Sequence, residues 1–111
     1  MAQRRELMKG SIDSLLLCLM SQQQMYGYQI IKELEQRSQG YFKFKEGTLY
    51  PALHRLERAG LLKGKWQMLP GGRIRKYYHV TEKGHSVLVE KRGQWQDFLT
   101  AMSLIIQPES T

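Results

Sequence analysis

"GTLYPALHRLERAGL", residues 47–61, is the stretch whose reading decides the fold. Leu49, Leu53 and Leu56 recur at helical spacing, which predicts a helix from about Glu46 to Ala59 with Gly60 as its C-terminal cap. Gly47 and Pro51 resist that reading. Proline lacks an N–H and is tolerated near a helix start, so Glu46 to Tyr50 are expected to form a looser first turn, with regular helix from around Pro51. Gly47 leaves the backbone bare where a phosphate could approach. The face away from the leucines carries Thr48, Tyr50, Pro51, His54, Arg55 and Arg58, offset only by Glu46 and Glu57. Glu57 reads as an intrahelical partner. A solvated helix mixes its signs more evenly, so this face is a candidate contact surface.

The charge distribution points the same way. Formal net charge is +7 over 111 residues. Residues 1–40 hold five Lys/Arg against four Asp/Glu, residues 41–79 nine against two, and residues 80–111 three against four. The excess lies entirely in the middle third, where a polyanion is the expected partner and nucleic acid the default one.

Working outward, Met8, Ile12, Leu15, Leu16 and Leu19 fall at helical spacing, while Leu17, Cys18 and Met20 make residues 15–20 apolar nearly all round. Such a helix is covered on more than one side, and in so short a chain the second cover can be another subunit. A second helix is predicted from about Tyr26 to Ser38, with Ile30, Ile31 and Leu34 on one face. "YFKFK", 41–45, alternates Phe42 and Phe44 with Lys43 and Lys45, the pattern of a short half-buried strand with its lysines outward. After the third helix, "LLKGKWQM" and "IRKYYHV" flank "LPGGR" and read as a hairpin. Alternation puts Tyr78, Val80 and Lys76 on one face of it, and Arg75, Tyr77 and His79 on the other. Arg73 and Arg75 then sit at a tip that Gly71 and Gly72 leave bare. A last helix starts at Thr81 as N-cap. Along it Leu88, Arg92, Trp95, Leu99, Met102 and Ile106 form a heptad seam that Phe98 and Ile105 widen. It is expected to meet its symmetry mate.

Helix, helix, short strand, basic helix and hairpin in that order predict a mostly α fold with a small β hairpin, a winged helix-turn-helix with a C-terminal dimerisation helix. Such modules place the third helix in the major groove of DNA and rest the hairpin on the backbone or in the minor groove. Residues 1–80 are the expected DNA-binding domain, with the first helix also at the dimer, 81–106 the dimerisation helix and 107–111 a disordered tail. Arg55 and Arg58 suit phosphate or guanine, His54 and Tyr50 can hydrogen-bond, and the Thr48 hydroxyl can reach phosphate or base. Arg73 at a glycine turn suits a narrow groove.

"YGYQIIKEL" at 26–34, "GTLYPALHRLERAGLL" at 47–62 and "GGRIRKYYHVTEKG" at 71–84 resemble the PadR family of bacterial transcriptional regulators, in order and over nearly the whole chain. The resemblance implies a homodimeric winged-helix repressor, expected to bind a pseudo-palindromic operator in double-stranded DNA. Tyr26, Thr48, Tyr50, Pro51, His54, Arg55, Arg73 and Lys76 are placed by it at the DNA surface; Lys43 and Arg75 join them as nearby basic residues. The implied dimer interface comprises Met8, Ile12, Leu15 and Leu16 of the first helix with Leu88, Trp95, Phe98, Leu99, Met102, Ile105 and Ile106 of the last. The resemblance also implies an effector, since some small relatives bind flat hydrophobic compounds between paired tryptophans at the dimer centre, which maps an effector site onto Ile12, Leu88, Arg92, Trp95 and Leu99. Arg92 and Gln94 make it more basic and favour an aromatic acid.

His54, His79 and His85 are not grouped at metal-ligand spacings, and neither a phosphate loop nor a nucleophile elbow appears. No enzyme activity, cofactor or metal is expected. Cys18 alone excludes a disulfide framework. The polar N-terminus and the absence of a bilayer-length apolar run predict a cytoplasmic protein with no membrane partner. Two rival readings are a winged-helix protein-interaction adaptor and, more weakly, a binder of double-stranded RNA, whose deep narrow major groove does not admit a helix.

Overall fold

The computed structural model describes residues 10–107. Helix α1 (Ile12–Gln22) leads through strand β1 (Met25–Tyr26) to α2 (Gly27–Arg37) and α3 (Glu46–Arg58). The hairpin β2 (Leu62–Met68) and β3 (Ile74–Val80) then feeds the long helix α4 (Glu82–Ile106). This is a winged helix-turn-helix with a small antiparallel sheet in the order β1-β3-β2. Met25 pairs with Tyr78, and the hairpin runs in register from Leu62 opposite Val80 to Met68 opposite Ile74.

One core joins these elements. The leucine stripe of α3 is buried as its spacing requires, with Leu49 and Leu53 at 0% exposure. Leu16 and Leu17 of α1, Ile30 and Leu34 of α2, Leu62 and Tyr78 of the hairpin and Leu88 of α4 close around it. Placing Leu16 and Leu88 there corrects their assignment to the dimer interface, and Leu88's to the effector site: both side chains are enclosed within the chain's own core. Ile12 is nearly so at 9%.

The start of α3 is more regular than its composition suggests. The Leu49 N–H donates to Lys45 O at 3.0 Å, so α-helical bonding begins in the first turn instead of waiting for Pro51. Pro51 omits only the bond to the carbonyl of Gly47, an exposed residue that water can reach. The end matches expectation: Gly60 is left-handed at φ +79°, with Gly60 N–H on Glu57 O and Leu61 N–H on Leu56 O, a Schellman cap.

Residues 41–45 correct a second expectation. Phe44 is buried and Lys43 and Lys45 are exposed, so the alternation is real, but the segment is a loop. The Phe42 and Phe44 rings stack at 5.9 Å against the core edge. The central strand β3 is flanked on one side by β2 and on the other by β1, which occupies the ladder position a strand at 41–45 would need. Side-chain periodicity carried no information about that competition.

Thr81 joins α3 to α4. Its hydroxyl accepts from Gly84 N–H at 3.0 Å as the N-cap and donates to Gly60 O at 2.6 Å. Gly84 then packs on the backbone of Leu61 so closely that a Cβ would meet the Leu61 carbonyl. Beyond Trp95, which is only partly exposed, α4 leaves the core: Phe98, Leu99, Met102, Leu104, Ile105 and Ile106 are 40–83% exposed. The radius of gyration, 15.9 Å, records that projection, since a compact chain of this length would have about 13 Å. Gln107 closes α4. Met8 and residues 108–111 of the expected tail lie outside the described residues.

Candidate nucleic-acid interface

The buried stripe of α3 fixes what the helix shows outward. With Leu49, Ala52, Leu53 and Leu56 inside, Thr48, Pro51, His54, Arg55 and Arg58 are exposed and Tyr50 is half-buried. Tyr50 leans over the start of α2, where Gly27 makes room: a Cβ at that position would strike the Tyr50 ring and hydroxyl. His54 lies against Tyr50, ring centres 6.4 Å apart.

The wing stands beside α3 and closes one side of a groove of about 290 Å³. Tyr26, Tyr50, His54, Arg75 and Lys76, all candidates from sequence, line it together with Trp66 and Tyr78. Arg75, one pair from the hairpin turn, lies 5.5 Å over the Tyr26 ring, a cation–π geometry that holds the guanidinium against the start of α2. Tyr26 also meets Tyr77 edge-on at 5.4 Å. Arg73 stands exposed at the wing tip, beside Gly71 and Gly72 at φ +91° and +86°. Lys43 is exposed in the loop before α3.

Two of the cations are already engaged. Lys76 donates to Glu57 Oε1 at 2.9 Å, which corrects the reading of Glu57 as an intrahelical partner. The pair ties α3 to the wing across the groove. Its ammonium also lies 5.2 Å from the Tyr78 ring and 5.9 Å from that of Trp66. The carboxylate of Glu57 raises the Lys76 pKa above its usual 10.5 despite some desolvation, and burial raises Tyr78 above its usual 10.0 against the opposing pull of Lys76. Arg55 donates through Nη2 to Asp13 Oδ1 of α1 at 2.6 Å.

On the far side of α1, Trp95 donates its indole N–H to Ser14 Oγ at 3.0 Å and meets Phe98 edge-on at 5.6 Å. Leu99 is exposed nearby in the helix, and Arg92 extends to the Cys18 sulfur at 3.9 Å. Of the residues expected at the effector site, Arg92, Trp95 and Leu99 remain accessible, while Ile12 and Leu88 are buried. Sequence reasoning missed Asp13, Ser14 and Trp66. Asp13 had a signal only as an acid in a first helical turn, which helix-dipole compensation explains equally well. Trp66 was legible only as a β-former.

Among the described residues no group of three or more His, Cys, Asp or Glu is placed to hold a metal ion, and no helix is long and apolar enough to cross a membrane. Comparison with known proteins gives the arrangement its context. Residues 16–90 match the transcriptional regulator PadR-like family. A transcriptional regulator of Mycobacterium tuberculosis is 33% identical over 88 residues, covering 79% of this chain and 78% of that one. A PadR-like transcriptional regulator from Bacillus cereus superposes with a TM-score of 0.82 at 32% identity, covering 94% of this chain and 99% of that one. A PadR family regulator from Eggerthella lenta gives 0.80 at 30% identity, over 97% and 92%. Family members are regulators of transcription and not enzymes. With the winged helix, the basic outward face of α3 and these matches together, the chain belongs to the PadR-like family of transcriptional regulators.

Proposed function

We propose that the protein is a homodimeric cytoplasmic repressor that reads a pseudo-palindromic site in double-stranded DNA and responds to a small aromatic effector. The observation that carries the DNA reading is the outward face of α3, where Thr48, Pro51, His54, Arg55 and Arg58 are exposed opposite a fully buried leucine stripe. A helix so presented fits the major groove, whose base edges carry a distinct donor and acceptor pattern. Arg73 at the wing tip reaches the neighbouring backbone or minor groove, and Lys43 extends the positive surface. Tyr26 and Arg75, held together by their cation–π contact, face the phosphates between them. Occupying a site that overlaps a promoter is sufficient for repression.

The exposed apolar run on α4 supports the dimer, with Leu15 of α1 and Phe98, Leu99, Met102, Ile105 and Ile106 as its contacts. Trp95, anchored on Ser14 beside that seam, supports an aromatic ligand between the subunits. Selection from a random DNA pool tests the reading: a pseudo-palindrome is expected, with half-sites one helical turn or a multiple apart. Affinity for it should fall with salt at a log–log slope of about −0.9 per phosphate neutralised. Failure to enrich any sequence, or binding indifferent to salt, refutes DNA readout. For the effector, titrating planar aromatic acids into Trp66→Phe protein should change Trp95 emission, and an unaltered spectrum across the series rejects the site.

A further inference from the structure

Asp13 stands in the first turn of α1, yet its carboxylate is turned to α3, where it receives Nη2–H of Arg55 at 2.6 Å. Its side chain is 27% exposed and that of Arg55 56%, so the acid is the recessed member and the guanidinium projects. The acid is also the fixed member. Ser14, the next residue, is buried and accepts the indole N–H of Trp95, while Leu16, Leu17, Leu19 and Met20 sink the rest of α1 into the core. Two consecutive residues thereby hold the first turn of α1 to α3 on one side and to α4 on the other.

An ion pair this open to water contributes little to folding. Its consequence is geometric. A guanidinium is a planar fork of five N–H donors. One Nη2–H goes to Asp13, and the Arg55 guanidinium has no other hydrogen-bond partner among the described residues. The Nη1 group and the second Nη2–H then form a free donor edge on the exposed side of α3. That edge matches the O6 and N7 acceptors of guanine in the major groove. An arginine already held in one rotamer loses less freedom on binding than a loose one. We propose that Asp13 is a positioning residue for specificity: by holding one edge of Arg55 it aims the other at a guanine in each half-site. The proposal rests on the DNA-reading function above and names a determinant of its sequence preference.

Charge and positioning act in opposite directions, which makes the test sharp. Removing a carboxylate near DNA strengthens sequence-independent attraction to phosphates, whereas releasing Arg55 weakens discrimination. Parent, Asp13→Asn, Asp13→Ala, Arg55→Ala and Asp13→Ala/Arg55→Ala proteins would be titrated with three duplexes. These are the selected site, the same site with its enriched guanine replaced in each half, and a random sequence. Both Asp13 variants should lower the preference for guanine by about tenfold while affinity for random duplex holds or rises. The double variant should discriminate no worse than Arg55→Ala alone, since both lie on one path. Circular dichroism and Tm identify any variant that loses the fold, and the Asn variant retains the shape of Asp13. Unchanged discrimination in the Asp13 variants, additive losses in the double variant, or a selected site without guanine each overturn the assignment while leaving DNA binding intact. A parent protein that selects no DNA overturns both readings.

Discussion

At the scale of single residues, the Glu57–Lys76 pair has a consequence in alkali. Lys76 carries a pKa raised above its usual 10.5, first through Glu57, and Tyr78 one raised above its usual 10.0, first through burial. Folding therefore favours the protonated form of both groups. Their contribution is fully present below about pH 10 and is lost as pH rises through the raised folded values. Stability measured by urea denaturation should accordingly decline above pH 10, more steeply in the parent than in Glu57→Gln, which removes the main cause of the Lys76 shift. Identical alkaline limbs in the two proteins would show that the pair does not hold α3 to the wing. Contacts of this kind were the least legible part of the sequence. That Arg55 and Lys76 belong to a basic surface follows from composition and alternation; that one is held by Asp13, 42 residues earlier, and the other by Glu57 depends on how helices cross.

Elements were legible where one hydrophobic period decided them. The stripe of α3 and its glycine cap, the hairpin about "LPGGR" and the Thr81 start of α4 all follow from spacing and turn chemistry. The segment 41–45 failed because alternation specifies which side chains are buried but not whether a neighbouring backbone is available. The two residues of β1 are too few to show a period at all. The junction of α3 and α4 offers an element-scale test. Beyond its Thr81 cap and the Thr81 hydroxyl bond to Gly60 O, Lys83 donates to Ala59 O at 3.1 Å and Thr81 N–H to Leu61 O at 3.0 Å. The start of α4 thus satisfies carbonyls at and just beyond the end of α3. Replacing Thr81 by Ala removes the cap and one of those bonds, and should cost about 1 kcal/mol or somewhat more, seen as a Tm lower by several degrees. A Ser at the same position restores the hydroxyl and should recover most of the loss. If Ala and Ser melt alike, the hydroxyl is not what couples the helices.

For the whole molecule, the decisive quantity is the apolar surface left on the outer half of α4. The helix has 25 residues, a length of about 37 Å, and from Phe98 onward six large apolar side chains are 40–83% exposed. An apolar patch of this kind suits the proposed dimer, and it runs on through Phe98 to partly buried Trp95. Leu99 and Met102, 57% and 40% exposed, can be altered without opening the protomer's core. Leu99→Glu/Met102→Glu protein should keep its circular dichroism spectrum yet sediment toward the 13.0 kDa of one chain. DNA binding should respond in a way that a folding defect would not produce. A duplex with two half-sites gains from linkage of two reading helices, so the monomeric variant should lose about a hundredfold or more in affinity for it. Affinity for a single half-site, which engages one α3 and one wing, should change little. A variant that stays dimeric would place the interface elsewhere on the molecule, and one that becomes monomeric with equal losses on both duplexes would show that dimerisation shapes the reading head itself instead of only joining two of them.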